Sequence, residues 1–189
     1  MALKTAKITA LGRYLPEYIL TNAEMEKMVD TDDEWIKSRT GISERRILKD
    51  SDKATAFMAG KVAEDILESS GTEASEIDTI IVATVTPDYL FPATACLVQG
   101  IIGAENAYAF DVSAACSGFI YALSVGSTLV ESGRSGKVLV IGSDKMSSIT
   151  DFTDRATCIL FGDAAAGVLL EPSDDENGIV DVVPHVDAD

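Results

Sequence analysis

The residues with the clearest chemical potential are the nine from Asp111 to Phe119, DVSAACSGF. An apolar stretch ends there, small side chains permit a tight bend, and Cys116 stands where a helix is predicted to begin. A helix amino terminus offers unpaired N–H groups and the positive end of the helix dipole, which both favour a thiolate. The same N–H groups can stabilise an oxyanion on a bound thioester. The pattern therefore predicts a nucleophile at Cys116, with a buried structural cysteine as the alternative.

The other cysteines and the single histidine carry no comparable pattern. Cys96 and Cys158 lie within apolar segments and are interpreted as structural cysteines. Three cysteines without metal-ligand spacing indicate neither a zinc site nor a disulfide framework. His185 follows Pro184, and nothing links it to Cys116, so it is interpreted as a surface or interface histidine. We therefore predict no metal site and no Cys–His pair.

A second feature is the pair formed by Trp35, the only tryptophan, and Arg39. Residues four apart share one face of a helix. An indole and a guanidinium together can form a platform for a flat base or a phosphate group. An amphipathic helix that packs Trp35 into the core would explain the same residues, and the pattern alone favours that alternative.

The elements that must position these residues follow from capping and periodicity. Thr21–Glu24 and Thr31–Glu34 match capping boxes, and the second helix is expected to end near Gly41. Further helices are predicted over Lys53–Ser70, from Pro92 through Ile102, and over Cys116–Ser132. Strands are predicted over Lys7–Leu11, Thr79–Val85, Ala107–Val112, Lys137–Gly142, Ala164–Leu170 and Ile179–Val183, with a hairpin loop at Ser173–Asn177. This alternation predicts an α/β layer fold with parallel strand pairing.

Composition limits the class of partner. The 189 residues carry 15 basic and 31 acidic side chains, a formal charge of −16, and 47% of them are hydrophobic. Such a surface repels nucleic acid and anionic membranes, so we expect neither as a partner. It would also repel an acidic carrier protein unless basic residues cluster locally. No secretory signal and no apolar run of membrane-spanning length is apparent, which favours a cytoplasmic protein.

Several segments together resemble the β-ketoacyl-acyl carrier protein synthase III family of the thiolase superfamily. They are DTDDEWIKSRTGISERR (Asp30–Arg46), FPATAC (Phe91–Cys96), FDVSAACSGF (Phe110–Phe119), IGSD (Ile141–Asp144), TDR (Thr153–Arg155) and FGD (Phe161–Asp163). The resemblance implies a thiolase-like α/β fold of two similar halves, each a mixed sheet covered by helices. Residues 1–189 would be the N-terminal domain, and the second half would lie outside this chain.

The resemblance also implies an activity. The family loads an acyl group from an acyl-CoA primer, acetyl-CoA most simply, onto the motif cysteine. It then condenses this group with malonyl-acyl carrier protein, with loss of carbon dioxide, and so initiates fatty-acid biosynthesis. No cofactor is implied, because the coenzyme A thioester is a substrate. A homodimer is implied, in which Ala107–Val112 pairs with its twin across a two-fold axis.

Carried over residue by residue, the resemblance implies a set of site residues. The acylated nucleophile is Cys116. The coenzyme A adenine stacks on Trp35 with Arg155 on its other side, near Thr31 and Arg39. The acyl pocket is lined by Met146, Leu160 and Phe161 and closed by Phe91 of the other protomer.

Two departures qualify the resemblance. The family often has Gly-Asp-Gly-Ala-Gly where this chain has GDAAA at residues 162–166, a change that a strand tolerates. The family's catalytic histidine and asparagine lie in the second half, so the 189 residues alone are expected to be inactive or crippled. Two alternatives stay open: a thiolase-family acyltransferase that uses an oxygen or nitrogen acceptor, and a non-catalytic half-fold subunit.

Overall fold

The computed structural model describes residues 5–174 and 177–185. Seven strands form two sheets: β1 (Thr5–Tyr14), β2 (Tyr18–Thr21), β3 (Glu44–Ile47), β4 (Thr79–Ala83), β5 (Tyr108–Val112), β6 (Val138–Lys145) and β7 (Asp163–Ser173). Five α-helices accompany them: α1 (Asn22–Met25), α2 (Asp33–Thr40), α3 (Thr55–Ser70), α4 (Thr94–Ile102) and α5 (Gly118–Glu131).

The main sheet is mixed, with strand order β1-β7-β6-β4-β5. Strand β4 pairs in parallel with β5 and β6, whereas β7 is antiparallel to both β6 and β1. The α/β fold class is thus confirmed, and the parallel pairing applies to the three strands nearest the β5 edge. On the other side of β6 lies the long strand β7, which runs antiparallel to β6.

Helices cover both faces of this sheet. Every residue of β4 is buried, as its unbroken β-branched run predicts. Ile80 and Val82 pack with α3 and α4, whereas Ile81 and Ala83 pack with α5 on the opposite face. Successive side chains of a strand point to opposite faces, so this single strand anchors both hydrophobic layers.

A smaller unit consists of the antiparallel pair β2–β3 with α1 and α2. Its core contains Leu20, Met25, Ile36, Ile47, Cys158 and Ile159. The predicted capping box at Thr21 is present and starts α1. Strands β2 and β3 were not predicted, because β3 reads Glu-Arg-Arg-Ile and shows no alternation of apolar and polar residues.

Some local predictions were wrong. The N-cap of α2 is Asp32 and not Thr31, and α4 begins at Thr94, after Pro92. No strand forms over Ile179–Val183: the Ile179 N–H donates to the Ala6 carbonyl, but Val180 and Val183 are exposed and have no sheet to join. The predicted hairpin loop lies partly outside the described residues. No helix in the described part is long and apolar enough to cross a bilayer.

Two helix glycines provide a test of the packing. A Cβ on Gly126 of α5 would lie 2.9 Å from Val140 Cγ2 and 3.0 Å from Leu170 Cδ1, so Gly126→Ala should destabilise the fold by about 1–3 kcal/mol. A Cβ on Gly100 of α4 would have no atom within 4 Å, so Gly100→Ala should stabilise it by about 0.5–1 kcal/mol. Urea unfolding measures both. A Gly126→Ala protein as stable as the parent would contradict the close packing of α5 on β6.

Candidate active site

Cys116 is exposed in the turn between β5 and α5. It occupies a short 3₁₀ turn, Ala115–Ser117, and α5 itself begins two residues later at Gly118. Ala115 has φ 45, a left-handed conformation that is costly for a residue with a side chain. The prediction that Cys116 is the first helical residue is therefore slightly wrong. Its thiol nevertheless lies at the amino end of a 14-residue helix whose first turn has no acidic residue.

Cys96 differs from its predicted environment. It is exposed, and it is the third residue of α4, so it too lies at a helix amino terminus. That terminus is occupied by the Asp111 carboxylate, which accepts hydrogen bonds from the N–H groups of Thr94 and Ala95 at 2.7 and 2.8 Å. The backbone N–H groups of Thr94 and Ala95 are therefore already used by Asp111. The Cys96 thiol also donates to the Ala109 carbonyl at 3.6 Å.

Cys158 and His185 lie as predicted. Cys158 is buried, and burial raises the pKa of its thiol, with a further contribution from Asp154. His185 is exposed and outside any helix or strand. Among the described residues no cluster of histidine, cysteine and acidic side chains could hold a metal ion.

The second predicted feature is assembled from two distant segments. The guanidinium carbon of Arg39 lies 5.1 Å from the centroid of the Trp35 ring, and that of Arg155 lies over the ring at 4.4 Å. Arg155 makes only a loose ion pair, 3.9 Å from Asp30. Trp35 is half-buried, so it both packs on the small core and presents ring surface to the two cations. Thr31 lies just before the N-cap, and its buried Oγ1 has no partner among the described residues.

The predicted acyl-pocket residues are partly gathered. Met146 opens a 3₁₀ turn after β6, and Leu160 and Phe161 precede β7. The buried Asp163 carboxylate joins these segments, because it accepts bonds from the N–H and Oγ of Ser147 at 2.8 and 2.7 Å. It also accepts one from the Leu48 N–H at 2.8 Å. Phe91 is 85% exposed, so it does not pack into the core of its own chain.

A second aspartate organises the loop beside the nucleophile. One carboxylate oxygen of Asp144, in β6, accepts hydrogen bonds from Thr84 Oγ1, the Val85 N–H, and both the N–H and Oγ1 of Thr86. The Thr84 N–H donates to Val112, the last residue of β5. Sequence reasoning noted the motifs that contain Asp144 and Asp163 but missed both anchoring roles. The sequence feature that could have indicated these roles is an acidic residue in or beside an apolar strand segment.

An open groove of ≈ 490 Å³ lies beside the sheet. Its lining consists of Arg13, Leu15, Gly142, Ser143, Asp144, Gly162, Ala164, Ala165 and Ala166. The Ala164 and Ala166 side chains are exposed, which explains why alanine is tolerated where the family often has glycine.

Known proteins of similar sequence carry one family name. The model of the family described as 3-oxoacyl-[acyl-carrier-protein (ACP)] synthase III matches residues 110–188. A curated β-ketoacyl-[acyl-carrier-protein] synthase III from Chlorobium chlorochromatii is 63% identical over 94% of this chain, and one from Chlorobium phaeobacteroides is 62% identical over 93%. This chain is thus similar to proteins of that family over nearly its whole length.

The fold of the family is also shared. The crystal structure of 3-oxoacyl-[acyl-carrier-protein] synthase III from Aquifex aeolicus superposes with a TM-score of 0.88 at 50% identity, covering 90% of this chain and 55% of that one. The thiolase fold is thereby confirmed. This chain covers 54% of each of the two Chlorobium proteins, and so spans about half the length of these family members.

The three cysteines are predicted to alkylate in a fixed order. Cys116 should react with iodoacetamide first, because it is exposed at an uncapped helix terminus, and Cys96 second, because Asp111 and the Ala109 carbonyl restrain it. Cys158 should react last, because burial raises its pKa. Peptide mapping after a brief pulse at neutral pH measures the order. Faster labelling of Cys96 or Cys158 in the folded protein would remove the case for Cys116 as nucleophile.

Proposed function

We propose that this chain carries the nucleophile and the nucleotide platform of a condensing acyltransferase that initiates fatty-acid biosynthesis. The observation that carries the proposal is the exposed Cys116, which follows the left-handed Ala115 in a short turn between β5 and the amino end of α5. Similarity to β-ketoacyl-[acyl-carrier-protein] synthases III supports the reaction class. The tests below use the full-length protein, meaning this chain continued by the second half that its relatives contain.

The first half-reaction uses groups of this chain. The Cys116 thiolate adds to the carbonyl carbon of an acyl-CoA thioester, and N–H groups at the start of α5 stabilise the resulting oxyanion. Collapse of this intermediate breaks the carbon–sulfur bond to coenzyme A, whose thiolate takes up a proton. The acyl group remains on Cys116. Acetyl-CoA is the simplest primer.

The second half-reaction needs more than this chain. Malonyl-acyl carrier protein loses carbon dioxide, and its carbon nucleophile attacks the acyl-Cys116 thioester, which releases the thiolate and the β-ketoacyl product. The family resemblance assigns stabilisation of the enolate-like transition state to a histidine and an asparagine of the second half. The exposed guanidinium groups of Arg39 and Arg155, which lie beside the Trp35 ring, offer positive charge for an acidic carrier or for phosphates on a chain of net charge −16.

The nucleotide of coenzyme A is assigned to Trp35. Arg155 already lies over the indole ring, so a base that stacks between them must displace the Arg155 side chain outward. Arg155 is exposed and its ion pair with Asp30 is loose, so its guanidinium can exchange the contact with the indole for one with the stacked base. Arg39 and Thr31 then lie at the edge of the same platform.

Dimerisation is assigned to the β5 edge. Within the described residues, the strand has one neighbour in the sheet, β4, and its other edge is unpaired. Tyr108 and Phe110 stack along it at 6.3 Å between ring centroids. Phe91 is exposed in the loop before Thr94, whose N–H donates to Asp111 of β5. An open apolar edge invites pairing with another strand, and a two-fold axis would satisfy both copies at once. Phe91, Met146, Leu160 and Phe161 would then form one acyl pocket from two protomers.

Replacement of the nucleophile tests the reaction. Cys116→Ser in the full-length protein should abolish acyl transfer from acyl-CoA, because a serine hydroxyl is far less ionised at neutral pH. Cys96→Ser serves as the matched control and should retain activity. Mass spectrometry after incubation with acetyl-CoA should show a single acetyl adduct on Cys116.

Retained transfer in Cys116→Ser, or an inert parent protein, would favour a non-catalytic subunit. Transfer to an oxygen or nitrogen acceptor without malonyl turnover would favour the other acyltransferase alternative.

Replacement of the indole tests the nucleotide platform. Trp35→Ala should weaken acyl-CoA binding by about 1–3 kcal/mol, the usual value of a base–aromatic stack, and Trp35→Phe by less. The melting temperature should fall somewhat as well, because Trp35 is half-buried. Acyl-pantetheine, which lacks the nucleotide, should bind equally to all three proteins. Equal weakening of both ligands would show that Trp35 is only a core residue.

Sedimentation tests the interface. The full-length protein should be a homodimer at micromolar concentration, and Tyr108→Lys should shift it toward monomer, because a charged side chain on an edge strand disfavours pairing with another strand. The 189-residue chain is expected to dimerise and to associate further. A well-behaved monomer would contradict the pairing of β5 and the transfer of Phe91 to a partner's pocket.

A further inference from the structure

Arg45, in β3, is a buried cation held only by neutral groups. It is 5% exposed. Its Nη1 donates to the Leu20 carbonyl at 3.3 Å and to Asn22 Oδ1 at 3.0 Å, and its Nη2 donates to the Ile159 carbonyl at 2.8 Å. Its Nε has no partner within the described part of the chain, and none of these three bonds involves a carboxylate.

This arrangement is costly for stability. Burial lowers the pKa of Arg45, which shows that the surroundings disfavour its charge. A buried cation without a carboxylate is commonly no better for stability than an apolar side chain of similar volume. The role of Arg45 must therefore be sought in the geometry that its directional bonds impose.

The three acceptors of Arg45 belong to the two sides of the Trp35 platform. Asn22 donates to Asp33 Oδ1 at the start of α2 and to the Ile42 carbonyl just after α2, so it is tied to the helix that carries Trp35. Ile159 follows Arg155 within one compact turn. In residues 5–174 and 177–185, the bond from Arg45 is the only hydrogen bond that joins residues 151–160 to another element.

Apart from the contacts of the exposed Arg155 side chain with Trp35 and Asp30, the remaining described contacts of that segment are apolar or steric. Phe152, Cys158 and Ile159 pack into the small core, a contact that favours burial but sets no direction. Gly162 lies against β3, where a Cβ would be 2.8 Å from the Arg46 carbonyl oxygen. The segment is thus pressed against β3, and the Arg45–Ile159 bond fixes where along β3 it lies.

We propose that Arg45 is the positioning residue that sets the separation of Arg155 from Trp35, and through it the affinity for the nucleotide part of acyl-CoA. The proposal rests on the proposed function of the Trp35 platform. Arg45 touches neither substrate nor reacting atoms. Its effect should therefore appear in KM for acyl-CoA and not in kcat.

The test compares two substrates in the full-length protein. Arg45→Met removes the three hydrogen bonds of the guanidinium and keeps most of the side-chain volume. Arg45→Lys keeps the positive charge but lacks the two guanidinium nitrogens that donate to separate acceptors. Arg46→Met is the matched control, because the Arg46 side chain donates to Pro16 and Glu17 and not to residues 151–160. KM and kcat are measured with acetyl-CoA and with acetyl-pantetheine, and Arg45→Met is combined with Arg155→Ala.

The expected result is specific to the nucleotide. Arg45→Met should raise KM for acetyl-CoA about tenfold, within the value of one base–aromatic stack, and Arg45→Lys should raise it less. In both variants kcat, and KM for acetyl-pantetheine, should stay within about twofold of the parent values. Arg46→Met should match the parent. Adding Arg45→Met to Arg155→Ala should cause no further rise, because the two residues act through one contact.

Other outcomes separate the two proposals. If the parent protein uses acetyl-pantetheine as well as acetyl-CoA, the nucleotide platform is wrong and the Arg45 proposal falls with it. In a different outcome, the parent prefers acetyl-CoA to acetyl-pantetheine while the Arg45 variants raise KM for both substrates equally. That result, or an effect of Arg45→Met on KM that adds fully to the effect of Arg155→Ala, overturns only the Arg45 proposal. Failure of both Arg45 variants to fold would also overturn it, because Arg45 would then be a folding residue.

Discussion

Parallel pairing of β4 with both β5 and β6 is the constraint on which the site depends. In register, Ala83 lies beside Val112 on one side and Gly142 on the other, so the three strands end at one edge of the sheet. Ligand sites in α/β sheets form at this carboxyl edge. Here it brings together the Cys116 turn, the loop at residues 84–86 and the segment that begins at Met146. The Asp144 carboxylate then holds that loop with four hydrogen bonds.

The nucleotide platform belongs to a different part of the fold. Trp35 and Arg155 meet on the small core beneath β2 and β3, away from the five-stranded sheet. Two buried charges connect this unit to its surroundings: Arg45 reaches Ile159, and Asp163 joins Leu48 to Ser147. Both are satisfied mainly by backbone groups. Arg45 and Asp163 therefore fix the position of the backbone segments that they bond. A site assembled from distant segments requires such fixed positions.

Some exposed apolar residues lie next to β5. Tyr108 is on that strand, and Leu90 and Phe91 are in the loop before Thr94, whose N–H donates to Asp111 of β5. Acidic residues dominate the overall charge, yet the exposed guanidinium groups of Arg39 and Arg155 lie beside the Trp35 ring. An apolar edge favours a second copy of the chain, and the two guanidinium groups favour an anionic ligand. The two proposed contacts thus use separate surfaces.

The sequence by itself determined the features that depend on neighbours along the chain. Cap residues and apolar runs located α2, α3 and β4, and the small residues before Cys116 located its turn, because short-range hydrogen bonds and steric limits govern such elements. The family motifs supplied the site residues. Only the tertiary structure decided which side chains are covered and what they meet. Cys96 lies in an apolar segment yet is exposed, because no element covers it, and Arg45 is charged yet buried, because residues 151–160 close over β3. Burial depends on distant segments, and no local pattern records where those segments will pack.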